Sequence, residues 1–197
     1  MREEAYDFPI YIRCMEEVKW RIGVLDDAVL SYRQNENPKI SDFELAALQL
    51  RMCYEIIGFS LISANKKLYS ALRIQYEKDW NFCEILKSIE RINKNFLPIS
   101  IKKDSTENNE ENLKKQQLSE YHGKLGNILH ASNPYANEVD FLKWFDWIIE
   151  RRDEIVKWLS KHMITPGDNR AVAMVYMSFG PSGEVAYMVL SADVTNP

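Results

Sequence analysis

Apolar residues recur along most of this chain at three- and four-residue steps, and only near the C-terminus do they run together. The first stripe is Tyr11, Cys14, Met15, Val18, Ile22, Leu25, Val29 and Tyr32. It predicts a core-facing helix from Pro9 to Arg33, with Pro9 in the first turn and Asn35-Glu36-Asn37-Pro38 as the stop. A second stripe runs through Phe43, Ala46, Ala47, Leu50, Tyr54, Ile57, Leu61, Ala64 and Leu68 toward Gln75. Ser41-Asp42-Phe43-Glu44 reads as its capping box, with Ile40 as a staple. Gly58 and the segment 60–65 are places for a close approach or a bend. Cys53, Ile56 and Phe59 flank this stripe, so the helix should be central and buried on more than one side.

Asp79 is positioned to cap a third helix, Trp80 to Asn93, with Phe82, Ile85, Leu86 and Ile89 inward. Phe96 to Ile101 reads as extended, and Pro98 restricts it to a sheet edge or to no sheet. Lys103 to Gln116 is polar and predicts a mobile surface loop. Its sharper role would be a gate over the helix that follows. That helix, capped near Ser119, ends at Asn133-Pro134-Tyr135. A last helix, Asn137 to His162, carries Leu142, Phe145, Ile149, Val156 and Leu159 on one strip and Phe141, Trp144, Ile148, Ile155 and Trp158 on another. Two strips imply burial on two sides, or one core face and one partner face.

The end of the chain changes period. Residues 171–177 and 185–190 are β-like runs, joined by Gly180-Pro181-Ser182-Gly183 as a hairpin loop. A lone hairpin is marginal in water, so it must pack on the helices, recruit Phe96–Ile101 as a third strand, or pair with another chain. The fold class that follows is mainly α. It is a single domain with a helical bundle over residues 1–164, a flexible loop at about 103–116, and a C-terminal β-hairpin over 165–197.

Composition narrows this picture. The 197 residues are 46% hydrophobic and 27% charged, with only 7 Gly and 7 Pro, which disfavours an all-β or loop-rich fold. A net charge of −4 argues against a protein that coats nucleic-acid backbone, so RNA contact is disfavoured. The three cysteines, Cys14, Cys53 and Cys83, form no CxxC pair and read as reduced core thiols. Residues 1–7 are acidic without an apolar signal region, and no apolar run is read as approaching the roughly 20 residues of a membrane span. The expectation is a cytoplasmic protein away from membranes.

Chemistry is sparse. His122, His130 and His162 show no HxxxH or HExxH spacing, so neither a metal site nor a cofactor is expected. No phosphate loop or nucleophile elbow occurs. The most specific stretch is Tyr121-His122-Gly123-Lys124-Leu125-Gly126-Asn127-Ile128-Leu129-His130. Lys124, Asn127 and His130 follow at three-residue steps before the Asn-Pro turn. One reading makes His130 a helix-terminal imidazole bonded to free carbonyls. The other makes it a general acid or base, with Lys124 offering charge to a phosphate and Asn127 orienting a ligand. Tyr121 and Asn133 flank this set as binding candidates.

An all-α bundle whose late helix ends in a basic residue, a polar residue and a His before a turn resembles the HEPN superfamily (higher eukaryotes and prokaryotes nucleotide-binding). The likeness spans residues 9–162, and its specific part is Lys124 to His130. Ribonuclease members carry Arg, a polar residue and then His. Here the basic position is Lys124, followed by apolar Leu125, and Lys lacks the planar fork that Arg offers a phosphate. The resemblance implies a HEPN-like shape and a non-catalytic or degenerate member acting through protein association, as a homodimer or with a protein partner. Its setting would be the bacterial defence or toxin–antitoxin neighbourhoods where such proteins occur. The alternative it implies is a metal-independent endoribonuclease using His130, Lys124 and Asn127. The surplus of large apolar side chains at Trp144, Trp158, Met174, Tyr176, Tyr187 and Met188 marks the expected contact surface.

Overall fold

A computed structural model of the chain describes residues 6–35, 39–101, 112–130, 140–167, 171–178 and 183–191. The first two stripes become an antiparallel helical hairpin, α1 (Phe8–Gln34) and α2 (Ile40–Ala64). Polar ties fix its alignment along the whole length. Ser31 Oγ donates to Asp42 Oδ2 at 2.9 Å, Arg21 to Gln49 Oε1 at 3.0 Å, and the Asp7 N–H to the Ser63 carbonyl at 2.8 Å. Asp7 also caps α1 by accepting the Ile10 N–H at 3.2 Å, with Pro9 in the first turn as predicted. The capping box at Ser41 does not form. The helix starts at Ile40, and Asp42 is taken by Ser31 of α1, so a tertiary bond replaces the local cap.

Helix α2 packs against α1, α4 (Phe82–Ile92), α5 (Lys115–Leu129) and α6 (Phe141–Leu159), which makes it the central element. It is also long and apolar enough to cross a membrane by length and composition, with a mean hydropathy of 1.4, contrary to the reading that no run approaches that length. Two-thirds of that window is buried inside the fold, as in a core helix. The predicted continuation to Gln75 breaks at Asn65. A short α3 (Lys66–Leu72) and a 3-10 turn (Tyr76–Lys78) follow. The break is built around the Asn65 side chain. Its Nδ2 donates to the Leu61 carbonyl, and its Oδ1 accepts from Asn93 Nδ2 and from the Gly167 N–H, each at 2.9 Å. Asn93 also donates to the Thr165 carbonyl at 2.9 Å. The ends of α2 and α4 and the turn beyond residue 164 therefore meet in one polar knot. Gly58 lets α4 close on α2, since a Cβ there would lie 2.8 Å from the Phe82 ring.

Helix α4 begins two residues later than predicted because Asn81, not Asp79, caps it, accepting the Glu84 N–H at 3.1 Å. Asp79 is held by Tyr69 and Arg73 instead. Most of the loop predicted over 103–116 lies outside the described residues. Its end, 112–116, is structured: Leu113 is buried, and α5 starts at Lys115 rather than near Ser119. The last helix stops at Leu159, not His162. The ring of His162 takes the Leu159 carbonyl at 2.8 Å, and the chain turns into a strand. On α6 the buried set mixes both predicted strips (Phe145, Ile148, Ile155, Trp158 and Leu159), while Leu142 is exposed.

The C-terminal hairpin joins a larger antiparallel sheet than predicted, in the order β1 (Ile99–Ser100), β2 (Lys161–Ile164), β3 (Ala171–Met177), β4 (Val185–Ser191). Strands β1 and β2 come from upstream of residue 165, so the sheet is not confined to 165–197. Strand β3 alternates cleanly: Ala171, Ala173, Val175 and Met177 are buried against the helical layer. Trp158 anchors the other edge by donating its indole N–H to the Pro98 carbonyl at 2.9 Å.

Candidate functional site

Helix α5 buries Leu118, Tyr121 and Leu125. Each three-residue step from Lys124 to His130 rotates about 60° around the helix, given roughly 100° per residue. The trio therefore winds away from the core instead of converging. Lys124 turns toward α6, paired with Glu120 at 2.6 Å and lying 5.9 Å from the Trp147 ring. Asn127 and His130 are exposed. His130 occupies the C-cap in extended backbone (φ −81°, ψ 150°) and makes no hydrogen bond within the described residues, so the predicted carbonyl contact is not among them. Asn133 lies outside the described residues. Tyr121 is buried, its ring 5.7 Å from that of Trp147, so Lys124 shares the Trp147 ring with it while Asn127 and His130 stay exposed.

Among the described residues, the histidine with a carboxylate partner is His122. Its Nε2 lies 3.0 Å from Glu55 Oε1, and its ring sits 4.8 Å from that of Phe82. Arg51 Nε donates to the same carboxylate oxygen at 3.0 Å. Burial pushes the Glu55 carboxyl up, but the hydrogen bonds from His122 and Arg51 outweigh it and hold the group below its ordinary value. The Glu55 carboxylate, held by both partners, works as a clamp between α2 and α5. Sequence reasoning missed it because Glu55 and His122 are 67 residues apart.

A second polar cluster lies where α2, α5 and α6 meet. The Arg151 guanidinium sits 4.8 Å from the Tyr121 ring and 5.7 Å from that of Trp147, and it pairs with Glu154 at 3.1 Å. The hydroxyl of fully buried Tyr54, Arg151 Nε and Glu154 Oε2 are buried without a hydrogen-bond partner among the described residues. Burial pushes the Glu154 carboxyl up, ahead of the opposing pull of Arg151. In the sequence, Arg151 and Glu154 look like a surface i,i+3 pair, and the i,i+3 spacing carries no sign of their burial.

Two clefts open elsewhere, one of about 280 Å³ beside Arg73, Asp79 and Trp80, the other of about 440 Å³ between Ile10, Phe59, Lys66 and Tyr76. Among the described residues no group of three or more His, Cys, Asp or Glu side chains is gathered in a way that could hold a metal ion.

Strand β4 departs from a closed globule. Its side chains beyond Val185 are exposed on both faces, including Tyr187 at 46%, Met188 at 55% and Leu190 at 51%. Tyr187 and Val189 pair with Val175 and Ala173 of β3 and so point to the helical side, yet the helices leave them 46% and 38% exposed. Of the predicted contact surface, Tyr176, Tyr187 and Met188 are exposed. Trp158 is fully buried within the chain and leaves that surface, because α6 turns it inward to Pro98. Comparison with protein-family models, curated proteins and solved structures finds no match to this chain.

Proposed function

We propose that this is a HEPN-like helical protein that acts through protein association rather than catalysis. The observation that carries this is β4, a seven-residue strand at the sheet's end whose side chains beyond Val185 are exposed on both faces and whose outer edge, past the Val185–Glu16 bond, pairs with no described strand. Surface apolar side chains scattered singly mean little, whereas a contiguous patch rimmed by polar residues fits a binding surface. The arrangement on α5 favours the same reading, since Lys124 is committed to Glu120 and Trp147 while His130 and Asn127 have no convergent partner. A bacterial defence or toxin–antitoxin setting accords with association as the working mode and rests on the HEPN resemblance alone.

A photo-crosslinking residue in place of Leu190, in cells expressing the full chain, tests the reading. It is expected to trap a protein adduct at β4. A folded protein that forms none would overturn association through this strand. The second reading, a metal-independent ribonuclease, draws on the solvent access of Asn127 and His130. It requires cleavage of mixed RNA in EDTA that is lost in His130→Ala.

A further inference from the structure

The two edges of the sheet are treated differently. At the β1 edge the strand is two residues long, and the outward N–H of Ser100 is taken by Asn112 Oδ1 at 2.8 Å. At the β4 edge there is no Lys, no Pro and no charge in Val185-Ala186-Tyr187-Met188-Val189-Leu190-Ser191. Sheet proteins normally blunt an edge with such devices, because a free ladder recruits another strand.

The direction of the free ladder follows from two bonds. The Met177 N–H donates to the Ser160 carbonyl on the β2 side at 2.8 Å, and the N–H of its β4 partner Val185 donates to Glu16 Oε1 at 2.7 Å. Met177 and Val185 are therefore a non-hydrogen-bonded pair of the β3–β4 ladder. By the alternation of antiparallel pairing, Tyr187, Val189 and Ser191 also aim their backbone groups outward, while Ala186, Met188 and Leu190 bond to β3. Glu16 closes one end of the free edge and leaves Tyr187 and Val189 open.

We infer that β4 pairs antiparallel with β4 of a second copy about a two-fold axis at Met188, joining two four-stranded sheets into one. This rests on association through β4, and it names the partner. The register sets Tyr187 opposite Val189 of the other copy, so the outward groups of both strands meet as hydrogen-bonded pairs. It sets Ala186 opposite Leu190 on the other face. Each pair matches a large side chain with a smaller one, and aromatic with β-branched is a favourable cross-strand combination. No like charges meet. Tyr187, Met188, Val189 and Leu190 flank the free edge on its two faces and are 46%, 55%, 38% and 51% exposed, so pairing there covers apolar side chains as well as backbone.

Disulfide trapping with the full chain decides the register. Met188→Cys places two thiols across a non-hydrogen-bonded pair, about 4.5 Å between Cα atoms, within disulfide reach. Leu190→Cys places them four residues out of register, roughly 13 Å apart along the strand. Mild oxidation is expected to link Met188→Cys dimers and to leave Leu190→Cys and the parent unlinked. Light scattering at micromolar concentration is expected to give a dimer for the parent and a folded monomer for Val189→Pro, which removes only an outward N–H. A parent monomer overturns the inference, as does a dimer that Val189→Pro leaves intact or that Leu190→Cys links as readily. If Leu190 crosslinks in cells to a different protein while the purified chain is monomeric, self-pairing fails and association through β4 stands. If neither occurs, both fail.

Discussion

Tyr11, near the start of the chain, donates its phenolic hydrogen to Nε2 of His162, 151 residues later, at 2.8 Å. The other ring nitrogen, Nδ1, donates to the Leu159 carbonyl at 2.8 Å. Both nitrogens of a fully buried ring are thereby satisfied in one neutral tautomer. The pair ties α1 to β2 and fixes where α6 gives way to the sheet.

Stability should therefore fall in mild acid. Burial pushes the His162 pKa from 6.5 down to about 4, ahead of the smaller opposing effect of the Leu159 carbonyl. Between those values the unfolded chain binds a proton that the folded chain refuses, so the contribution is complete above pH 6.5 and declines as pH falls toward 4. A loss on the order of 3 kcal/mol across that window follows from about 1.4 kcal/mol per pKa unit. Urea melts of the parent and of His162→Gln at pH 7 and pH 4.5 check this. The parent should lose more stability between the two than the variant, and equal losses would refute the assignment.

The helices were legible where burial follows a simple stripe. Tyr11, Met15, Val18, Ile22 and Leu25 and the stripe from Phe43 to Leu61 were read correctly as core, Cys14 is only half-buried, and the hairpin runs at 171–177 and 185–190 became β3 and β4. What could not be read was set by tertiary bonds. Ser41 lost its cap to the Ser31–Asp42 contact, Asn65 broke a helix whose stripe ran on, and His162 became a strand residue because a carbonyl and a phenol converge on it. The Lys124–Asn127–His130 spacing was visible, but a three-residue step drifts around the helix, so spacing alone did not make a site.

Gly58 gives a test of the close α2–α4 approach. Alanine has the better helix propensity by about 1 kcal/mol. Its Cβ would nonetheless meet the ring of Phe82, which is 2% exposed and has little room to move. Overpacking of this kind costs about 1–3 kcal/mol, so Gly58→Ala should be destabilised despite the propensity gain. Gly23, where a Cβ meets nothing within 4 Å, is the control, and Gly23→Ala should stabilise. If both substitutions raise the melting temperature, the two helices are not packed this closely.

His130→Ala should leave the fold nearly unchanged, within about 0.5 kcal/mol, because an exposed side chain without a described partner has little to lose. Lys124→Ala should behave similarly, its pairing with Glu120 being half in solvent. Thermal melts beside an RNA cleavage assay in EDTA check both. Wild-type cleavage abolished by either change, with melting intact, would move the conclusion to the ribonuclease reading.

The cluster around Tyr54 supports a prediction of opposite sign. Its hydroxyl is buried at the contact of α2 with α5 and α6 without a described partner, and burial together with the nearby Glu154 carboxylate holds the phenol well above its ordinary pKa. A buried polar group with no hydrogen bond costs about 1–3 kcal/mol, whereas phenylalanine keeps the ring and its packing on Tyr121 and Phe82. Tyr54→Phe should therefore raise stability by about 1 kcal/mol. Tyr54→Leu should lower it, since the ring volume is lost from a site with 0% exposure. Chemical denaturation of the two variants separates the effects. A Tyr54→Phe protein less stable than the parent would show that the hydroxyl is bonded in solution, most simply through a water shared with Arg151 Nε and Glu154 Oε2, the two other unpartnered atoms of the same cluster.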